Sequence, residues 1–443
     1  MSSSRSGQTP RRSVLAGAVL ASAALVLSAC GSSQASESTP ESFEGQELSV
    51  LLITSHEGAS KWLADEFQKK TGAIIKPTIV PYDEIGSTLA LDQQSGANKF
   101  DVAAPWYVSI GDLAADDSIK DLTDWIEESD QDTADFIPAI YDPYTLVDGK
   151  RYGVPFDGDT HVLFYNKEIL ERNGFDAPPA TWDEYVEQSK TITENESSDG
   201  VYGAAVFGQK SPLILGASYA NRLAGFGGEF VDAEGKPTIN TPEAVAAAEN
   251  LVESVKYAFP TAAETDFGVG NGAWFDAKVG FIENWTDLGV GSEINDDSKV
   301  AGKWGVATLP VGGAQTEARA SLVAGFTWVV AENTEKEELA KEFIKWAASS
   351  EVNEALLTAE PATGIDPNRQ SSLESASYGS AYPALQEANR ATLAGTLAWP
   401  TGRNANQAAQ ILTDELAKLL AGQGGSAQET MDRIQSEWER ILG

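Results

Sequence analysis

Apolar and polar positions alternate along the chain in a regular order. Glu47 to Thr54 reads ELSVLLIT, a β-rich run closed by the polar turn Ser55-His56-Glu57-Gly58. Ala59, Trp62, Leu63 and Phe67 then recur at helical spacing, with Lys69 and Lys70 in the last turn and Gly72 as the cap. A second apolar run, AIIKPTIV, follows, so the pattern predicts a β-α-β unit that continues through FDVAAP to a helix starting near Ile110. Later helices carry their own start signals. Thr181 and Glu184 form a capping box ahead of Tyr185, Val186 and Ile192. Thr241-Pro242 opens a helix with the apolar face Val245, Ala248, Leu251, Val252 and Val255. Ser426 and Glu429 cap a last helix bearing Met431, Ile434, Trp438 and Ile441. Trp62, Trp125, Trp182, Trp346 and Trp438 lie on these helical patterns and are expected in the core. The segment GVATLPVGG, Gly305–Gly313, reads as a short strand running into a Pro/Gly turn, where the chain would cross between lobes. No repeat of fixed period is visible, and the class is α/β.

The N-terminus has a different pattern. Arg5, Arg11 and Arg12 precede an apolar run from Val14 to Val26, the length of a signal-peptide core and short for a membrane span. It ends in Leu27-Ser28-Ala29-Cys30, similar to a bacterial lipobox in which the cysteine is lipidated and becomes the mature N-terminus. Residues 1–29 are therefore expected to be a signal peptide, and 30–45, rich in Ser, Glu, Thr and Pro, a flexible tether. Arg11-Arg12-Ser13-Val14-Leu15 also resembles a twin-arginine signal, leaving Sec and folded-state export both open. The expected location is the extracytoplasmic face of the membrane, anchored through Cys30.

Composition narrows the function. At 443 residues two lobes or domains are expected. A net charge of −35, near −38 once the three arginines of residues 1–29 are removed, would repel nucleic acid and anionic membranes. One cysteine allows no internal disulfide, four-cysteine zinc site or CxxC pair. Two histidines, His56 and His161, exclude HExxH and tri-histidine sites. There is no phosphate-binding glycine loop, dinucleotide fingerprint or GxSxG elbow, so no cofactor is expected. In YGVPFDGDTHVLFYNKEIL, Asp157, Asp159 and Glu168 fall at positions 1, 3 and 12 of a calcium loop, but Val162 stands where the turn needs glycine. The residues alone leave acid–base chemistry or hydrogen bonding to a polar ligand. At strand ends, where α/β sheets place ligand groups, lie His56 with Glu57, and Trp106. His161 alternates within a strand and reads as structural.

Several stretches, in order, resemble the extracellular solute-binding proteins of bacterial sugar ABC importers, the large group that includes maltodextrin- and polyol-binding proteins. They are YGVPFDGDTHVLFYNKEIL with GFDAPPATWDEYVEQSKTIT, WFDAKVGFIENW, KWGVATLPVGG, LVAGFTWVVAENTEKEELAKEFIKW, ATGIDPNRQSSL and LAGQGGSAQETMDRIQSEWERIL. The likeness spans residues 47–443, departing at AWPTGRNANQAAQ, which leaves the role of Trp399 open. It implies a periplasmic-binding-protein-like fold of two α/β lobes with ligand in the cleft, lobe 1 being 46–157 plus 307–358 and lobe 2 158–306 plus 359–443. It places Asp159 at the lobe crossing in contact with ligand, with Asp157 beside it. Trp285 would stack on a sugar face with Asp287 nearby, Phe326 would line the hinge side beside a core Trp328, and Arg369 would fork onto hydroxyls or bridge the lobes. The implied function is capture of a sugar or sugar alcohol and delivery to an ABC permease, by a monomer without catalysis. A secreted two-carboxylate glycosidase, or the same fold binding a polyamine or peptide, is the alternative.

Overall fold

The computed structural model describes residues 43–158 and 160–442. The expectations for residues 1–42, including lipidation of Cys30, and for Asp159 fall outside the described residues. Two sheets organise the rest. The first contains β1 (Glu47–Ile53), β2 (Ile74–Val80), β3 (Val102–Ala103) and β4 (Val154–Asp157). The second contains β5 (Val162–Asn166), β6 (Tyr202–Ala205), β7 (Val279–Asn284) and β8 (Trp304–Ala307). The chain then returns to the first sheet as β9 (Phe326–Val330).

The strand orders are β2-β1-β3-β9-β4 and β8-β5-β7-β6. In the first sheet β2, β1 and β3 run parallel and β9 runs antiparallel to β3 and β4. In the second, β6 and β7 run parallel while β5 is antiparallel to both β7 and β8. The architecture is thus α/β and two-lobed, as expected from the alternation of strand and helix patterns. The chain passes between sheets after β4 and after β8. It passes a third time between helix Ser350–Leu357 and helix Pro383–Leu393, the latter packed on β8 and β5. The GVATLPVGG segment opens with β8 and leads into the second passage.

The elements form where their chemistry dictates. Helix Glu57–Thr71 buries Ala59, Leu63 and Phe67 and ends on Gly72 at φ 79°, a left-handed conformation that glycine takes without strain. The Thr181–Glu184 capping box opens helix Trp182–Glu196. Ser426 and Glu429 exchange the same reciprocal bonds ahead of helix Ala427–Leu442. Trp182, Trp328 and Trp438 are fully buried, and Trp62, Trp125 and Trp346 pack half-buried against the core. Pro77 lies in β2, the edge strand of the first sheet. The Ile74 N–H donates to the Gln46 carbonyl of the neighbouring chain segment at 2.7 Å. Since alternate residues of a strand share a side, Lys76 and Thr78 also turn their N–H groups inward and Pro77 faces the open edge.

Inside the second lobe Arg222, fully buried, lies 3.0 Å from Glu283 and 4.3 Å over the Trp182 ring. Its Nε donates to Asn250 and one Nη to the Ser218 carbonyl. His161 sits in the same layer, hydrogen-bonded to Asn221 at 2.7 Å, and burial pushes its pKa down to about 3, so the ring is neutral. The structural reading of His161 agrees with this placement.

Candidate functional site

Ends of strands from both sheets converge on one cavity of about 100 Å³. Ile53, Ser55 and His56 come from the end of β1, Asp157 from the end of β4, and Phe326 from the start of β9. Asn284, Trp285 and Asp287 come from the end of β7, and Asp366 with Gly364 from the third passage between lobes. Strand carboxyl ends leave backbone groups and loop side chains free to meet a ligand, the usual arrangement of open α/β sheets.

Two close approaches build the floor. A Cβ on Gly158 would stand 2.0 Å from the Pro367 carbonyl, so the turn after β4 can lie against the third passage only as glycine. Gly364 adopts φ 70° and its missing Cβ would stand 2.8 Å from the Ser55 carbonyl. With the backbones this near, the Asp366 N–H donates to one Asp157 oxygen at 2.7 Å. The other oxygen lies 3.1 Å from His56 Nε2. His56 is fully buried, its ring edge-on to Phe156 at 4.9 Å and Phe326 at 4.7 Å.

Three carboxylates, Asp157, Asp287 and Asp366, therefore share the cavity, and the last two titrate above their ordinary range. Burial, reinforced by the charge of Asp157, pushes Asp287 up to about 6. Burial and the charges of Asp287 and Asp157 push Asp366 well above its ordinary value, against the hydrogen bond it accepts from Thr286. Trp285 forms the second-lobe wall, half-buried, its ring edge-on to His161 at 4.4 Å and Phe267 at 4.6 Å. Its indole N–H is buried without a partner. Asn284 holds the Trp285 backbone N–H at 2.9 Å and donates to Asn271 at 2.7 Å, which fixes the turn carrying the indole. Among the described residues no cluster of His, Cys, Asp and Glu has a metal-binding arrangement.

Of the residues singled out from sequence, Asp157, His56, Trp285, Asp287 and Phe326 meet here. Three do not. Glu57 points from the first turn of its helix to solvent and pairs with Lys61 at 2.7 Å, favoured there by the helix dipole. Arg369 is buried away from the cavity, donating to the Ala348 carbonyl at 2.6 Å and the Asp132 carbonyl at 2.7 Å over the Phe136 ring. Trp106 lines a neighbouring cavity of about 370 Å³, which shares Tyr82 and Leu213 with the first. There it meets Trp399 edge-on at 5.8 Å. Trp399 is buried and packs on Phe230 at 4.6 Å, which gives the AWPTG segment a core role.

A two-lobed α/β chain with its polar cavity at the strand ends between lobes has the form of a receptor for a small solute. The family model described as bacterial extracellular solute-binding protein matches residues 54–354. The chain belongs to that family. It is a binding protein of the ABC-importer type, extracytoplasmic in its family, and not an enzyme, which sets aside the glycosidase alternative. A diacetylchitobiose binding protein of Streptomyces coelicolor is 26% identical over 81% of this chain and 83% of its own length. A maltooligosaccharide ABC transporter solute-binding lipoprotein of Streptococcus pneumoniae is 27% identical over 77% of each. A probable ABC transporter-binding protein of Deinococcus radiodurans is 31% identical, but the match spans only 59% of that protein and 56% of this one. Solved structures share the fold. A solute-binding protein of Agrobacterium radiobacter in complex with ribitol superposes with TM-score 0.77, at 24% identity over 90% of this chain and all of that one. One of Thermotoga lettingae with bound tagatose gives 0.79, at 21% identity over the same shares.

The sequence reading missed Asp366, Tyr82, Phe267, Asn271 and Asn284. Asp366 stood in the quoted GIDPNR run, three residues before the arginine chosen from it. Asn284 stood in the quoted WFDAKVGFIENW stretch, directly before Trp285, while Tyr82, Phe267 and Asn271 carry no local motif and reach the cavity only through the tertiary fold.

Proposed function

We propose that this receptor captures a sugar or sugar alcohol between its lobes, taken as 46–157 with 307–358 and 158–306 with 359–443, and delivers it to a membrane permease. Trp285 offers an apolar ring to the CH face of a sugar, while Asp157, Asp287 and Asp366 offer acceptors to its hydroxyls. That pairing of one aromatic wall with convergent carboxylates is the observation that carries the reading. The sugars named for the relatives and the polyol and ketose held by the fold neighbours support the same class. Cys30 is proposed to carry the lipid that keeps a monomeric receptor beside its permease. Asp159, adjacent to the Gly158 turn, is proposed as a further hydroxyl ligand.

The test is a thermal-shift screen of the tether-truncated protein against monosaccharides, oligosaccharides, polyols, polyamines and peptides. A ligand that binds only the folded form raises the melting temperature in proportion to the logarithm of its concentration over Kd. Shifts confined to peptides or polyamines would refute the carbohydrate reading. Mass spectrometry of the exported protein, showing a diacylated or triacylated Cys30, tests the anchor.

A further inference from the structure

The charge around the cavity is one-sided. Asp157, Asp287 and Asp366 line it, and no lysine or arginine stands among its described lining residues. Lys210, in the lining of the adjoining cavity, is paired with Asp414 at 3.1 Å. The hydrogen-bond inventory is one-sided as well. Asp157 has one partner on each oxygen, the Asp366 N–H and His56. Asp366 accepts from Thr286 through one oxygen only. Asp287 accepts no side-chain donor among the described residues.

His56 adds an independent observation. With Nε2 engaged by Asp157, Nδ1 is buried without a partner in a side chain that is fully buried. A buried ring nitrogen without a partner is costly unless a ligand supplies one. A neutral hydroxyl brings one donor together with acceptors of its own, whereas an ammonium brings three donors, no acceptor and the missing positive charge. The unpartnered Trp285 indole N–H is the complementary donor for a ligand oxygen.

We infer that the cavity selects a carbohydrate or sugar alcohol carrying a protonated amine, with the ammonium among Asp287, Asp366 and His56 and a ring or chain hydroxyl at Trp285. This rests on the carbohydrate reading above and names the charge class within it. A cation lodged beside Asp287, whose carboxyl burial raises to about 6, favours its ionised form, so binding releases protons.

Isothermal titration at neutral pH with matched pairs tests the inference. The probes are D-glucosamine against D-glucose, glucamine against sorbitol, and spermidine as an amine without a sugar. The amine of each pair should bind roughly tenfold or more tightly, the range of a charge-assisted hydrogen bond. Repeating the titration in two buffers of different ionisation enthalpy should reveal proton release. Asp287→Asn should shrink the preference toward unity, with circular dichroism checking the fold. Asp366→Asn serves if that variant does not fold. Amines that bind no tighter than their neutral twins, or not at all, overturn the inference and leave the carbohydrate reading intact where the neutral twins bind. Binding of spermidine alone overturns the carbohydrate reading and keeps the charge selection.

Discussion

Arg369→Met separates stability from recognition. The guanidinium is 2% exposed, lies 3.9 Å over the Phe136 ring, and donates to the carbonyls of Ala348 and Asp132. Its Nη1 also stands 3.5 Å from Asp135. Burial costs the charge enough to hold its pKa below the usual arginine value, so those acceptors must offset the desolvation. Methionine keeps the stem but removes every donor, leaving two carbonyls unpaired and Asp135 without its cation. At about 1–3 kcal/mol for each stranded acceptor, less the relief of a buried charge, the loss should be about 3 kcal/mol. Urea unfolding followed by tryptophan fluorescence measures it as a lowered midpoint at unchanged slope. Ligand affinity of the folded variant, by titration calorimetry, should stay within about twofold of the parent. Wild-type stability together with an affinity weakened by about tenfold would refute the reasoning and return Arg369 to the ligand.

Trp285→Ala should weaken carbohydrate binding by about 2 kcal/mol, roughly thirtyfold, measured by calorimetry; an unchanged Kd would remove the indole from the site. Asp287 is raised in the fold, so the folded state binds its proton more tightly and stability should fall as pH rises from about 4 to about 6. Asp287→Asn should flatten that slope in urea midpoints measured across the window, and an unaltered slope contradicts the assignment. Asp112 accepts the N–H groups of Asn404 at 2.6 Å and Asn406 at 3.3 Å, capping helix Ala405–Leu420 from another part of the chain. Asp112→Ala should cost about 1 kcal/mol and speed hydrogen exchange in the first turn of that helix; unchanged exchange there speaks against the cap.

The helices and strands were legible because their signals are local. Thr181 and Glu184 stand three residues apart and need nothing else to form a cap. His56 was legible from its place at a strand end, and Asp157, Trp285 and Asp287 through the likeness to sugar-binding proteins; the fold gathers the four at one cavity. Arg369 misled for a physical reason: five donors suit a sugar and suit buried carbonyls equally well, and only the packing of Phe136 and Ala348 decides between them. Trp106 was placed at a strand end correctly, yet its cavity is the neighbouring one, since Trp399, 293 residues further along the chain, closes on it. The perturbed titration of Asp366 was invisible because its neighbours, Asp157 and Asp287, are distant in sequence and come from different passages of the chain.

A chain tethered through Cys30 would meet copies of itself at far higher local concentration than one free in solution. Crowding of that kind rewards any surface on which one molecule can extend another. The outer rim of β2 is such a surface, and Pro77 removes an outward-facing donor from its middle. Lys76, exposed and paired with Glu47 at 3.2 Å, adds charge at the same rim. The proline would thereby keep copies held side by side from stitching into a shared sheet.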